Sequence, residues 1–206
     1  MIKITSFTVT EKNLLTFFIE HPTESFGIRE LSRKTSIDYK MVHTTIQKLT
    51  KKRVIIKIRK ANVDFCTLNL KGDITYVYFV ELIRRHTFFL KHKDIHDFFM
   101  EIEQKIKELH HTLVIFGSFA KEKEHTLSDV DILIIAPTKE TAEEIQRVIT
   151  SESFILKKQI HSIALDEKEF LINFQSKGLN VVKESFKNHI ILTGIEAYYK
   201  GVQQTI

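Results

Sequence analysis

Cysteine and proline are scarce in this sequence. Among its 206 residues there are 1 cysteine and 2 prolines. Cys66 alone cannot form an internal disulfide and has no partner cysteines for a zinc cluster, which excludes disulfide-stapled domains and indicates a reducing compartment. Cys66 alternates with Leu68 and Leu70, which predicts a core position. Few prolines and 43% hydrophobic residues indicate a folded chain with a real core.

Long apolar runs are also missing. No run approaches the ~20 residues that span a bilayer. The N-terminus, Met1-Ile2-Lys3-Ile4-Thr5, lacks the apolar core of a secretion signal. We therefore expect a cytoplasmic protein that does not use a membrane as a partner.

The net charge of +5 is unevenly distributed. Through Gly72 the chain carries 14 Lys and Arg against 6 Asp and Glu, a net +8, whereas the remainder carries 17 against 20, a net −3. The basic N-terminal part is therefore the candidate for binding a polyanion.

The N-terminal part carries the signals of successive helices and a hairpin. Thr8 and Glu11 match a capping box that opens an amphipathic helix, which ends before Pro22. A short helix is predicted at about 28–34, and Asp38 is a good N-cap for a third. The alternating segments 54–60 and 63–70, with Ala61-Asn62 between them, predict a β-hairpin.

The third helix has one apolar and one basic face. Val42, Ile46 and Leu49 recur at helical spacing and should be buried. The opposite face is polar and basic and consists of Lys40, His43, Thr44, Gln47 and Lys51. This succession of elements over residues 8–70 resembles a winged helix-turn-helix domain. The resemblance implies that the third helix enters the major groove of DNA while the wing tip, with Arg59, Lys60 and Asn62, touches the backbone. Winged helices also serve as protein-docking or dimerisation modules, so that alternative stays open.

Residues 74–110 show helical periodicity and are dense in Phe, Leu and Ile. This much aromatic surface needs burial against the flanking domains or against a second chain. A homodimer is therefore a plausible arrangement, and we expect a helical connector here.

The most informative stretch is 117–131. An apolar run, 113–116, leads into Gly117-Ser118, and a polar spacer leads to Asp129-Val130-Asp131 and a second apolar run. Glycine lets the backbone approach a phosphate, to which amides and a hydroxyl donate. Successive strand side chains alternate between faces, so Asp129 and Asp131 share one. Two such carboxylates favour divalent cations bridging to phosphate oxygens.

This motif resembles the active site of the DNA polymerase beta nucleotidyltransferase superfamily, in particular its minimal nucleotidyltransferase branch. The resemblance covers roughly 112–206. It implies that Asp129 and Asp131 hold Mg²⁺ or Mn²⁺, and that Gly117, Ser118, Lys121 and Ser128 bind a nucleoside triphosphate.

The sequence departs from the family pattern in two places. Glu122 stands where the family commonly has a second glycine. The family also places a third carboxylate, the catalytic base, on the strand that follows the next helix. Here the helix is predicted at 139–151 and the strand at 158–165, and His161 stands where the acid is expected. His161 is either the base, since an imidazole can accept a proton near neutral pH, or an ordinary strand residue. Asp166, at the strand end, is an alternative base.

We therefore predict an α+β protein with a winged helix-turn-helix over 1–72, a helical connector over 73–111 and a nucleotidyltransferase-type mixed sheet with flanking helices over 112–206. The stretches 181–186 and 195–202 should be helices that pack on this sheet.

The predicted function is Mg²⁺-dependent transfer of a nucleoside monophosphate from a nucleoside triphosphate to an acceptor hydroxyl or amine. One alternative is a transcriptional regulator with a catalytically weakened nucleotidyltransferase fold, which the absent third acid favours. Another is an antitoxin-like protein that pairs with a helical toxin-like partner.

Overall fold

The structure, a computed structural model, describes residues 7–125, 128–156 and 158–205. Thr126 and Leu127, in the spacer of the 117–131 motif, lie outside the described residues. The chain divides into two compact units, 1–80 and 81–206. In the described residues, no helix has the length and apolarity that crossing a membrane would require.

The first unit combines helices with a small antiparallel sheet of order β1-β3-β2. Its elements are α1 (Val9–Glu20), β1 (Phe26–Gly27), α2 (Ile28–Thr35), α3 (Tyr39–Lys51), β2 (Ile55–Lys60), β3 (Val63–Leu68) and the start of α4 (Thr75–Lys91).

Local signals set the boundaries of these elements as predicted. The Thr8 hydroxyl accepts from the Glu11 amide at 3.1 Å, and the Glu11 carboxylate accepts from the Thr8 amide at 3.0 Å, which confirms the capping box. The Asp38 carboxylate accepts from the Lys40 amide at 2.9 Å and begins α3. Lys60 pairs with Val63, so the hairpin turns at the two residues between them, as predicted.

The core of the first unit lies between the three helices and the sheet. Leu14, Phe18 and Leu31 are fully buried, as are the predicted α3 residues Val42, Ile46 and Leu49. Cys66 is also fully buried, and burial raises the pKa of its thiol to about 11. The prediction of a core cysteine is therefore confirmed.

The second unit is built on a mixed sheet of order β6-β5-β4-β7. Its elements after α4 are α5 (Lys93–Ile106), β4 (Thr112–Phe116), the short helix α6 (Gly117–Ala120), β5 (Val130–Ala136), α7 (Lys139–Glu152) with a 3-10 turn (Ser153–Ile155), β6 (Ile160–Asp166), α8 (Glu167–Gln175), α9 (Val181–Lys187), β7 (Ile190–Thr193) and α10 (Ile195–Gln203). β4 is antiparallel to β5 and β7, and β5 is parallel to β6. The two predicted C-terminal helices are confirmed as α9 and α10; β7 between them had not been assigned.

Helices pack on both faces of this sheet. α5 and α7 contribute Phe98, Ile102 and Ile145 to one hydrophobic core with Ile115 and Ile132 of the strands. α8, α9 and α10 contact β4 and β5, and their buried residues include Phe170, Phe186 and Tyr198.

The helical structure predicted for residues 74–110 is confirmed as α4 and α5. α5 belongs to the core of the second unit, because its apolar stripe, which includes Ile95, Phe99 and Ile106, packs with the sheet residues. Burial of the apolar residues of 74–110 is also incomplete. Leu90 is 63% exposed. Helical periodicity predicts which face of a helix is apolar, but not how much of that face the neighbouring elements cover.

A buried polar cluster joins the end of α4 to β7 and α10. The Glu81 carboxylate accepts from Arg84 at 2.8 Å and from the Tyr199 hydroxyl at 2.6 Å, and it lies 2.7 Å from His189 Nε2. Arg85 donates to the Leu192 carbonyl at 2.6 Å. These contacts fix residues 81–85 of α4 beside β7, whose Leu192 carbonyl accepts from an arginine.

Candidate active site

The sheet brings the separate parts of the sequence motif together. Phe116, the last residue of β4, pairs with Asp131, and Asp131 pairs with His161 on the other side. The turn that begins at Gly117 therefore leaves β4 directly beside Asp131.

The two aspartates gather around one imidazole. The His161 Nδ1 atom lies 3.9 Å from an Asp129 carboxylate oxygen and 3.8 Å from an Asp131 carboxylate oxygen. The side chains are partly open to solvent, with 39% of Asp129, 29% of Asp131 and 53% of His161 exposed. The result is a partly buried acidic site that solutes can reach.

Gln159 fixes the hydrogen-bonding state of His161. The Gln159 amide nitrogen donates to His161 Nε2 at 2.9 Å. Because Nε2 accepts this bond, the ring proton of the neutral imidazole lies on Nδ1, which faces the two aspartates. Gln159 lies directly before β6 and two residues before His161, so the period-2 spacing is a signal that could have identified it.

The environment of Asp131 opposes its ionisation. Burial is the largest cause and raises the pKa of Asp131; the nearby His161 acts in the opposite direction, and the charges of Asp129 and Glu184 raise the pKa further. A carboxylate held among like charges has a favourable interaction available with any cation that enters.

Gly117 is required by the geometry of this corner. Its φ is +71°, a left-handed conformation that glycine adopts readily. A Cβ atom at this position would lie 2.0 Å from an Asp131 carboxylate oxygen. The sequence suggested close approach of a phosphate as the reason for this glycine, and the structure adds the packing of the backbone against Asp131.

The other predicted phosphate-binding residues lie in or beside this turn. Ser118 is half-buried. The Lys121 ammonium bonds to the Glu184 carboxylate at 2.7 Å. Ser128 is buried, and its hydroxyl accepts from the His125 amide at 2.9 Å, so it closes the end of the spacer loop.

Glu122 adopts a conformation that suits glycine. Its φ is +51°, which is unfavourable for a side-chain-bearing residue. The sequence resemblance placed a second glycine of the family motif at this position, and a left-handed φ is one that glycine adopts readily. The Glu122 carboxylate accepts from Lys91 at 2.6 Å.

Asp166 does not belong to this site, which removes it as an alternative base. It pairs with Ala136 at the far end of the parallel β5–β6 pairing, five residues beyond the Asp131–His161 pair. Five residues of strand span about 16 Å. Its carboxylate instead caps α8 by accepting from the Glu169 amide at 2.7 Å.

Sequence reasoning missed Glu184. Its carboxylate reaches the turn from α9, far along the chain, and its charge acts on Asp131. No local spacing connects it to the motif, so only the fold reveals it.

The donor set suits a divalent cation that a nucleotide also ligates. In the described ranges, no group of three or more His, Cys, Asp or Glu side chains could hold a metal ion by itself. Asp129 and Asp131 supply carboxylate oxygens on an open face, and phosphate oxygens can complete the shell that Mg²⁺ prefers. These two residues therefore fit the expected cofactor.

A separate cavity of about 540 Å³ opens at the other end of the strands. It is lined by Thr112, Ile135, Phe170 and Tyr198 among others, and none of the predicted site residues lines it. The predicted site residues are thus in the acidic site and not in this cavity.

The predicted DNA-binding residues lie on the surface of the first unit. Lys40, Thr44, Gln47 and Lys51 are exposed on α3, and His43 is half-buried beside them. Arg59 and Lys60 are exposed at the end of β2. Tyr39 and Met41, at the start of α3, are also exposed, at 45% and 51%, and were not predicted.

Comparison with known protein families gives a match to the second unit. A family model described as polymerase beta, nucleotidyltransferase matches residues 93–198, just over half of the chain. The match begins at α5, earlier than the resemblance found in the sequence. No curated protein and no solved structure matches the chain.

Proposed function

Since the chain belongs to the polymerase beta nucleotidyltransferase family, we propose that it transfers a nucleoside monophosphate from a nucleoside triphosphate to an acceptor hydroxyl or amine. The observation that carries this proposal is the gathering of Asp129, Asp131 and His161 beside the turn at Gly117. Two carboxylates next to a glycine turn are what a metal-bound triphosphate requires.

Each residue has a defined task in the proposed reaction. The backbone amides of the turn after Gly117 and the Ser118 hydroxyl donate to the β- and γ-phosphates. Asp129 and Asp131 hold Mg²⁺ or Mn²⁺, which when bound neutralises phosphate charge and polarises the α-phosphoryl group. The turn and the carboxylates together orient the triphosphate for in-line attack.

The transfer step moves one proton and breaks one bond. The acceptor oxygen or nitrogen bonds to the α-phosphorus as the bond from the α-phosphorus to the bridging oxygen breaks, and pyrophosphate leaves. The acceptor proton goes to His161 Nε2, whose lone pair becomes free when the acceptor displaces the Gln159 amide.

Titration calorimetry tests the nucleotide site. The wild type should bind a nucleoside triphosphate in the presence of Mg²⁺, and the double variant Asp129→Asn, Asp131→Asn should bind it at least tenfold more weakly. The variant Asp94→Asn, Asp97→Asn removes the same charge from exposed positions of α5 and is the matched control. Equal binding by all three proteins would remove Asp129 and Asp131 from the site.

The acceptor is identified by incubating the wild type with each labelled nucleoside triphosphate, Mg²⁺ and cell extract. Transfer of label to a protein or nucleic acid supports the enzyme. Binding without any transfer supports the alternative, a regulator in which the nucleotidyltransferase fold is catalytically weakened.

We further infer that the first unit is a winged helix-turn-helix domain that binds DNA. The succession of α1, α2, α3 and the β2–β3 hairpin, with an exposed basic face on α3, favours this second function. A regulator would use the same unit, whereas the antitoxin-like alternative, with a helical toxin-like partner, would use the nucleotidyltransferase fold.

A further inference from the structure

Lys121 is built into the turn that would receive the triphosphate. Its backbone amide donates to the Gly117 carbonyl at 3.2 Å, which ends α6. Its side chain is about one-third exposed. The backbone of Lys121 is therefore fixed in the turn, whereas its side chain is exposed enough for the ammonium group to move.

Glu184 holds this ammonium from a different element. Its carboxylate lies 2.7 Å from Lys121 Nζ and is half exposed. α9, which carries Glu184, is anchored by the buried residues Val182 and Phe186 and by the Asn180 side chain, which accepts from the Lys183 amide at 3.0 Å. The carboxylate is thus presented from a fixed helix.

The charges of Lys121 and Glu184 both affect the pKa of Asp131. Burial is the main cause of the raised pKa of Asp131; Glu184 raises it further, whereas Lys121 lowers it. The two charges act in opposite directions on the same group, so while they are paired their effects on an incoming phosphate largely cancel.

An exposed ion pair of this kind is easily exchanged. Such pairs contribute little to stability because water screens them and both side chains lose freedom. A triphosphate offers several charged oxygens to the same ammonium, and charge-assisted bonds to phosphate are stronger. The Lys121–Glu184 pair should therefore open when a triphosphate reaches the turn.

We propose that Glu184 competes with the triphosphate for Lys121: it pairs with the Lys121 ammonium beside the Gly117 turn and gives it up when the triphosphate binds. This inference rests on the proposed function of the site. It assigns to Glu184 control over nucleotide affinity, because binding must first displace the carboxylate from Lys121.

Calorimetry with Mg²⁺ and the triphosphate that the wild type binds provides the test. Glu184→Gln keeps the side-chain shape and removes the competing charge, so binding should become about two- to fivefold tighter, the strength of an exposed pair. Lys121→Met should weaken binding. In the Lys121→Met background, Glu184→Gln should tighten binding by clearly less than in the wild type, since only its direct repulsion of the triphosphate remains.

A matched control separates this exchange from a general change in charge. Glu196→Gln breaks the exposed Lys200–Glu196 pair, which is also 2.7 Å long, and should leave the affinity unchanged. A purely structural role for Glu184 predicts weaker or equal binding in Glu184→Gln, either of which overturns the inference. The inference is also overturned if Glu184→Gln tightens binding by the same factor in the Lys121→Met background as in the wild type.

The two proposals can fail separately. If the wild type binds nucleotide through Asp129 and Asp131 while Glu184→Gln changes nothing, only the inference about Glu184 is wrong. If the wild type binds no nucleoside triphosphate, both are wrong.

Discussion

Asp131 and His161 are register partners in the parallel β5–β6 pairing, with His161 Nδ1 at 3.8 Å from an Asp131 carboxylate oxygen. A whole helix, α7, separates them along the chain. The family pattern has a carboxylate on this strand. An imidazole in its place adds a donor or a cation to an acidic site, which changes both proton transfer and the charge balance.

The first prediction concerns this imidazole. His161→Ala should lower the transfer rate about 100-fold or more, the usual contribution of a general base, while nucleotide binding measured by calorimetry persists. His161→Asp should recover part of the rate, because it returns a carboxylate to the strand. Full activity of His161→Ala would mean that the acceptor or a partner protein supplies the base.

The second prediction is that ionised Asp131 lowers the stability of the folded protein. The raised pKa of Asp131 means that the folded state binds its proton more readily than the unfolded state, so stability is lost as pH rises through the carboxyl range. In EDTA at pH 7, Asp131→Asn should therefore be more stable than the wild type by up to about 1 kcal/mol. Below about pH 4 the gain should vanish. Thermal unfolding at both pH values measures the stability gain, and the exposed Asp97→Asn is the control. An Asp131→Asn variant less stable than the wild type at pH 7 would contradict the prediction.

The third prediction separates two effects of a glycine. Gly117→Ala would place a Cβ 2.0 Å from an Asp131 carboxylate oxygen at φ +71°, and should cost about 2–4 kcal/mol in urea unfolding. Gly178 also has positive φ, +95°, but its Cβ would meet nothing within 4 Å. Gly178→Ala should cost about 1–2 kcal/mol from the backbone alone. Equal costs would show that the contact with Asp131 is unimportant.

The fourth prediction concerns the buried cluster. Burial opposes ionisation of Glu81, yet the charges of Arg84 and His189 and the hydrogen bonds from His189 and Tyr199 outweigh it and lower the pKa of Glu81 to about 2. Glu81→Gln should destabilise the protein by about 3–5 kcal/mol at pH 7, because the buried carboxylate that neutralises Arg84 is lost.

The pH dependence of Glu81→Gln provides an internal check. A lowered pKa contributes stability that is present above the ordinary value of 4.5 and is lost as pH falls toward about 2. The difference in free energy of unfolding between the wild type and Glu81→Gln should therefore become smaller as pH falls through this range. Glu196→Gln, in an exposed pair, should change stability by less than about 0.5 kcal/mol at any pH.

The fifth prediction tests the basic surface of the first unit. Replacing Lys40, Lys51 and Lys60 by Ala should weaken binding to duplex DNA and reduce the slope of log affinity against log salt by about 2–3. Replacing Lys93, Lys107 and Lys168, which are exposed in the second unit, removes the same charge and should have little effect. If the wild type fails to bind DNA even at low salt, the first unit is a docking module.

The sequence alone determined much of the architecture. Hydrophobic periodicity and caps such as Thr8 and Asp38 act within a few residues, so α1, α3 and the β2–β3 hairpin follow from local chemistry. The order Gly117-Ser118, spacer, Asp129 and Asp131 likewise identified the family and the strand edge at which the site lies, because the alternation of strand side chains is a local rule.

Only the tertiary structure decided which distant groups share the site. The family pattern had already indicated His161, but strand register carries Asp166 to the far end of the sheet, and helix packing brings Glu184 to Lys121. These contacts join residues that are far apart in sequence, and no local pattern encodes them. They depend on how the apolar faces of α5, α7 and α9 are buried against the sheet, since burial of those faces sets where each element can lie.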